Sequence, residues 1–195
     1  MILYLLLAGV LVAADQAIKL WAQQVLKPAV SMDIIPDVLS LYYHENFGAA
    51  WGILQGQRWL LLGVTGIVLI GLLVALILKK FKGPLLQTAV ALILAGGVGN
   101  LLDRALHTGG YVVDYIYFEP INFPIFNLAD VCVCIGTGLL AIYILFVEGK
   151  KKKEDEEPMP VEAESSASEP ASGDLEEAQA ECLPEKGEED PPCGN

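Results

Sequence analysis

Serine is nearly missing from residues 1–148, where only Ser31 and Ser40 occur, and the whole chain has two histidines, His44 and His107. A Ser-His triad needs a nucleophile, a base and an orienting acid within reach of one another, and a zinc site needs several nitrogen or sulfur donors. Both chemistries are short of raw material here. The cysteines do not make up for it. Cys132 and Cys134 lie two apart in an apolar stretch that reads as helix, so they point in different directions, while Cys182 and Cys193 have no neighbouring His and no C-x-x-C spacing. All four read as bystanders of the small-hydrophobe kind. No metal and no other cofactor is expected.

Positive charge is scarce as well. Residues 1–148 hold 7 Lys+Arg against 9 Asp+Glu, and residues 149–195 hold 5 against 15. A basic footprint for nucleic acid is therefore absent, and no nucleic-acid partner is expected. The chain divides into a near-neutral body, residues 1–149, and an acidic tail, residues 150–195, which opens on the cluster Lys150–Lys153. The tail lacks the apolar content to offset chain entropy, so it is expected to be disordered and dispensable.

What is abundant is apolar residues in long runs. The chain is 54% hydrophobic with a mean hydropathy of +0.49, beyond an ordinary soluble domain. Four runs approach the ~20 residues that a membrane helix needs: approximately residues 2–21, 59–78, 85–104 and 128–147. The first could instead be a cleavable signal peptide, with Val12 and Ala14 as its small-residue site. Such a peptide has a basic start, and residues 1–14 contain no Lys or Arg. A retained helix is expected. The fold class is thus a mainly α membrane protein, with four transmembrane helices and a small extracytoplasmic β-containing segment.

Orientation follows from the lysines. Lys79, Lys80 and Lys82 lie between spans two and three, and Lys150–Lys153 follow span four, so the positive-inside rule makes that side cytoplasmic. Both termini are then cytoplasmic and both longer excursions, residues 27–58 and 105–126, are outside. Trp21, Trp51, Trp59, Tyr42, Tyr43, Tyr111, Tyr115 and Tyr117 collect on the outer side as an interfacial belt would. Within the excursions, residues 38–43 and 111–118 are rich in β-branched and aromatic residues and predict short strands. Asn127 reads as the N-cap of span four, which puts Asp130 in a first turn where the helix dipole favours a carboxylate.

Ionisable groups at bilayer depth cost several kcal/mol, so each marks a candidate site. Residues 96–130 carry Asn100, Asp103, Arg104, Asp114, Asn127 and Asp130, and the first span carries Asp15 and Lys19 at i, i+4. Asn100, Asp103 and Arg104 share one helix face at i, i+3 and i+4. Asp114 and Asp130 flank a Pro-containing loop. Two carboxylates close together do not both ionise cheaply, so one keeps a proton; such a pair can activate water and then protonate a leaving amine, as aspartic proteases do. Spacing alone leaves other readings open. Asp103–Arg104 and Asp15–Lys19 could pair only to hold helices together, Asp15 and Lys19 could even be a surface pair, and intramembrane Asp also marks transporters and proton relays.

Five motifs in one order narrow this: Asp15-Gln16-x-x-Lys19, Asn46-x-Gly48-Ala49-Ala50, Gly97-x-Gly99-Asn100-Leu101-Leu102-Asp103-Arg104, Val112-Val113-Asp114-Tyr115 and Phe123-Pro124-x-Phe126-Asn127-x-Ala129-Asp130. Over residues 1–149 the chain resembles the lipoprotein signal peptidases (signal peptidase II), bacterial membrane aspartic proteases. The resemblance implies a catalytic dyad of Asp114 and Asp130, with Asp15, Lys19, Asn46, Gly48, Asn100, Arg104 and Asn127 lining or supporting the site. A monomer in the bacterial inner membrane is expected, with its site near the outer leaflet. The substrate would be a diacylglyceryl-modified prolipoprotein cut just before the lipidated Cys, and globomycin would inhibit by occupying the space between the carboxylates. Ile18 stands where the family usually has Thr, Val131 where Ser is frequent, and Ala95-Gly96-Gly97 replaces the commoner Gly-Gly-Ala. None of these is a proposed proton-transfer group.

Overall fold

The computed structural model describes residues 1–29 and 31–148; the acidic tail, the Lys150–Lys153 cluster, Cys182 and Cys193 lie outside the described residues. Four long helices dominate: α1 (Ile2–Val25), α2 (Arg58–Ile77), α3 (Pro84–Leu106) and α4 (Leu128–Ile142), the last running on through a wider π-type turn over Tyr143–Glu148. All four are long and apolar enough to cross a membrane. Their outward faces carry Ile2, Leu3, Trp59, Ile67 and Ile70, each more than half exposed. Such a continuous apolar surface is unfavourable in water and suits hydrocarbon. This is a four-helix membrane protein with a small sheet.

α1 runs four residues past Trp21 and continues without a break through Val12 and Ala14. α2 has no charge after Arg58, and nothing in it interrupts the apolar run. α3 opens on Pro84, whose missing N–H costs nothing at a first helical position. It is the central helix and packs against α1, α2 and α4. Leu69 and Leu76 of α2 meet Leu86, Val90 and Leu94 of α3 in one apolar cluster. Against α4 the approach is closer still. A Cβ on Gly96 would overlap the carbonyl oxygen of Ala129, so only glycine lets the two backbones meet there, as small residues do in membrane interfaces.

The two excursions form one antiparallel sheet in the order β1 (Met32–Ile35), β2 (Leu39–Asn46), β3 (Val112–Phe118). β2 pairs with β3 from Leu39↔Phe118 to Asn46↔Val112, with a bulge between Leu41 and His44. β1, which lies beyond the predicted strand segments, turns back on β2 through Asp37. Tyr115 departs from its expected place in an interfacial belt. It is buried with Ala22, Leu26 and Val113 where the end of α1 meets β3, and its Oη accepts a hydrogen bond from Leu128 N at 3.2 Å. Val113 and Tyr115, two apart and so on one face of β3, are covered there by Ala22 and Leu26 of the end of α1. Tyr42 and Tyr117 instead stack edge to face on the sheet, 5.3 Å apart.

Two connections deliver the polar residues to one place. Phe126 makes backbone hydrogen bonds with Ile116, which lays the approach to α4 alongside β3. Asn127 follows at once, beside Asp114.

Candidate active site

Asn127 caps α4 through a reciprocal pair of bonds. Its Oδ1 accepts from Asp130 N at 3.0 Å, and its own backbone N–H donates to Asp130 Oδ2 at 3.1 Å. This capping box satisfies two otherwise orphan amides and sets the Asp130 side chain. The Asn127 amide nitrogen then reaches the other way, donating to Asp114 Oδ1 at 2.6 Å. Asn127 is fully buried and Asp114 nearly so. Asp130 Oδ1 accepts from Asn100 Nδ2 at 2.8 Å, and Asp114 Oδ2 accepts from Asn46 Nδ2 at 3.0 Å. Two carboxylates from different elements thus share one nest of amide donors, Asp114 buried and Asp130 half-buried.

Asp114 stands on β3, and its carboxyl is pushed up to about 7. Burial is the largest cause and the charge of Asp130 the next; the bonds from Asn46 and Asn127 and the charge of Lys19 oppose them. A group placed there can hold or release a proton near neutrality.

Behind the pair lies Lys19, only 2% exposed. Its three protons meet three acceptors: Asp15 Oδ2 at 2.9 Å, Asp103 Oδ2 at 3.1 Å and Asn100 Oδ1 at 2.9 Å. The last bond settles which way the Asn100 amide faces, because its oxygen is held by Lys19 and its nitrogen is left for Asp130. Asp15 goes on to accept from Ala129 N at 3.0 Å. Asp103 accepts from Gln16 Nε2 at 2.9 Å and from Val113 N at 3.0 Å. Every acceptor in this layer has a donor, which is what a buried charge cluster requires.

Arg104 serves the loop after β2. Its Nη2 donates to Gly48 O at 2.7 Å and its Nη1 to Asn100 O at 3.2 Å. The loop is closed further by Gly48 N to Asn46 Oδ1 at 2.9 Å and Ala49 N to Ile53 O at 2.7 Å. A Cβ at Gly48 would stand 2.9 Å from Ile53 O and 3.0 Å from Gly52, so this tight turn excludes any larger residue. Trp51 follows with φ 54, and its ring lies 6.3 Å from Phe123 of the second excursion.

The structure therefore gathers Asp15, Lys19, Asn46, Gly48, Asn100, Arg104, Asp114, Asn127 and Asp130 into one connected network. It corrects one pairing that spacing left open: Asp103 bonds Lys19 and not Arg104, since consecutive residues on a helix point about 100° apart. Asp15 and Lys19 are a buried pair and not a surface one. Gln16 and Asp103 are the members absent from the expected site list. Both stood inside quoted motifs, and Asp103 was also marked as a charge at bilayer depth; for Gln16 the motif was the only signal. Among the described residues, no group of three or more His, Cys, Asp or Glu could hold a metal ion.

A family model described as Signal peptidase (SPase) II matches residues 7–146. The chain belongs to the signal peptidase II family. The lipoprotein signal peptidase of Brevibacillus brevis is 42% identical over 147 residues, covering 75% of this chain and 97% of that protein. That of Bacillus subtilis is 42% identical over 151 residues, covering 76% and 96%. Among solved structures, a bacterial membrane enzyme determined by the in meso method at 2.3 Å resolution superposes with a TM-score of 0.70 at 35% identity, over 81% of this chain and 95% of that one. A second, at 1.9 Å resolution, gives 0.67 at 36% identity, over 75% and 95%. Signal peptidase II is a peptidase family, and the matched stretch contains every polar residue of the network from Asp15 to Asp130.

Proposed function

We propose that this chain is an intramembrane aspartic endopeptidase that removes the signal peptide from diacylglyceryl-modified prolipoproteins, cleaving just before the lipidated Cys. The observation that carries the reading is the hydrogen-bonded chain from Asp114 through Asn127 to Asp130. Family membership supports the substrate class, since the relatives are lipoprotein signal peptidases.

In the resting pair Asp114 carries the shared proton and Asp130 is the anion. Asp130 takes a proton from a water as the oxygen attacks the scissile carbonyl, and Asp114 hydrogen-bonds the carbonyl oxygen. Collapse of the tetrahedral species breaks the C–N bond, and a proton delivered from the pair leaves with the amine of the lipidated Cys. Asn100, Asn127 and Asn46 hold both carboxyl groups in place, so little reorganisation accompanies the proton transfers.

The Lys79–Lys82 turn and the polar network lie at opposite ends of α3. With the lysines cytoplasmic, the network and the sheet face the outer leaflet of the inner membrane, and both termini are cytoplasmic. A diacylglyceryl substrate partitions into that leaflet and reaches the carboxylates laterally. The sheet serves as a cradle, and the loop bearing Trp51 as a cover over the scissile bond. Globomycin would block the site by lying between Asp114 and Asp130.

The test is cleavage of a diacylglyceryl-modified prolipoprotein by the purified protein, beside Asp114→Asn and Asp130→Asn. Activity in the parent, blocked by globomycin and reduced ~10³-fold or more in each variant, is expected for a dyad. Near-parental turnover by either folded variant would remove the dyad assignment.

A further inference from the structure

At the end of the bundle away from the carboxylates, two open clefts of about 340 and 360 Å³ border the turn between α2 and α3, and both are lined by Phe81 and Lys82. The first also borders Lys79 and the buried Leu76; the second also borders Lys80, Leu86, Leu140, Tyr143 and Ile144. The second therefore joins ammonium groups to an apolar wall formed by α3, α4 and the continuation of α4. Among the described residues, Lys79, Lys80 and Lys82 make no salt bridge; the ion pairs are confined to Lys19 and Lys27. Among the described residues these three cations thus have no ion-pair partner, and they border clefts at the end of the helices that the positive-inside rule puts at the cytoplasmic headgroups.

We propose that the second cleft is a binding site for one anionic phospholipid, its phosphate at Lys80 and Lys82 and an acyl chain against Leu140, Tyr143 and Ile144. Charge complementarity selects the headgroup. The apolar lobe distinguishes the site from a diffuse attraction of lysines to a negative surface, because a soluble phosphate gains nothing from it. Basic pockets between membrane helices hold acidic lipid headgroups in this way. The assignment is independent of the peptidase reading, since no residue of the carboxylate network lines either cleft.

The experiment is native mass spectrometry of the full chain released from detergent, with phosphatidylglycerol or phosphatidylcholine as probe. The parent is expected to retain one phosphatidylglycerol with roughly tenfold preference over phosphatidylcholine, the size of gain that a couple of headgroup charge contacts give. Lys80→Gln/Lys82→Gln is expected to bring that preference close to unity. Ile144→Trp, which fills the apolar lobe without changing charge, is expected to weaken retention while the lysines remain. Glycerol phosphate in excess should not displace the lipid. Equal retention of both lipids by the parent, loss on lysine replacement but none on Ile144→Trp, or displacement by glycerol phosphate would each overturn the proposal. Replacing Glu154, Asp155, Glu156 and Glu157 by Gln provides a further arm. A large gain in lipid retention there would hand the lysines to the chain's own acidic segment and equally overturn the proposal. Prolipoprotein cleavage should match the parent in every variant, so failure here is distinguishable from failure of the peptidase reading.

Discussion

Asn127 Nδ2 donates to Asp114 Oδ1 at 2.6 Å while the same residue's backbone N–H donates to Asp130 Oδ2 at 3.1 Å. One residue thus cross-links the carboxyl groups of a strand and of a helix N-terminus. In Asn127→Ala, α4 loses its cap, at a cost of about 1 kcal/mol, and Asp114 loses a donor. Prolipoprotein turnover is expected to fall by ~10²-fold or more, with a melting temperature only a few degrees lower. Parallel turnover and melting measurements check this; a pure stability loss with normal turnover would reduce Asn127 to a cap.

The proton on Asp114 gives a pH signature. Its carboxyl is pushed up to about 7 from 3.8, so the folded state holds the proton more tightly than the unfolded chain. That stabilisation is complete below about pH 4 and is lost as pH rises through about 7. Asp114→Asn is neutral at every pH. It is therefore expected to melt above the parent at about pH 8, by up to ~4 kcal/mol, with the gap closing toward about pH 4. Parental kcat/KM should decline above about pH 7 as Asp114 loses its proton. A flat melting difference would contradict the buried proton.

Lys19 compensates Asp15 and Asp103 and orients Asn100. Lys19→Met leaves two buried carboxylates without their cation, a change of roughly 3–5 kcal/mol. The expected outcome is a sharp drop in folded yield and melting temperature. Asp103→Asn is milder, because the one amide oxygen can still accept from Val113 N where Oδ2 stood, at the cost of the bond from Gln16 Nε2, and Lys19 stays paired with Asp15. It should retain the fold and lose part of its turnover. Equal melting of Lys19→Met and the parent would show that Lys19 is not structural.

At Gly48 the added methyl of an alanine would press on Ile53 O at 2.9 Å. The turn that receives Arg104 Nη2 must then open. Gly48→Ala is expected to raise KM for the lipidated substrate several-fold with little change in melting, since the turn lies outside the helix core. Unchanged kinetics would separate this turn from the site.

The sequence by itself determined the solvent of each segment. Four uncharged or nearly uncharged runs specify helices that bury their backbone polarity in hydrocarbon, and β-branched, aromatic stretches between them specify strands. Asn127 followed by Asp130 specifies a capping box, because both partners lie within one turn. The polar residues were legible for the same energetic reason: a charge among apolar helices is costly enough to be informative wherever it stands. Which charge meets which was not legible. Lys19 bonds Asn100, 81 residues away, and Ala129 N reaches Asp15 across 114 residues. Asp103 was adjacent to Arg104 yet bonds Lys19, because neighbours on a helix face different ways. Tyr115 passed for an interfacial aromatic, but the end of α1 covers it. Those choices depend on how closely α3 and α4 approach at Gly96 and on how Phe126 lies against Ile116. Only the packed tertiary structure decides them, since they are distances between segments and not properties of any one segment.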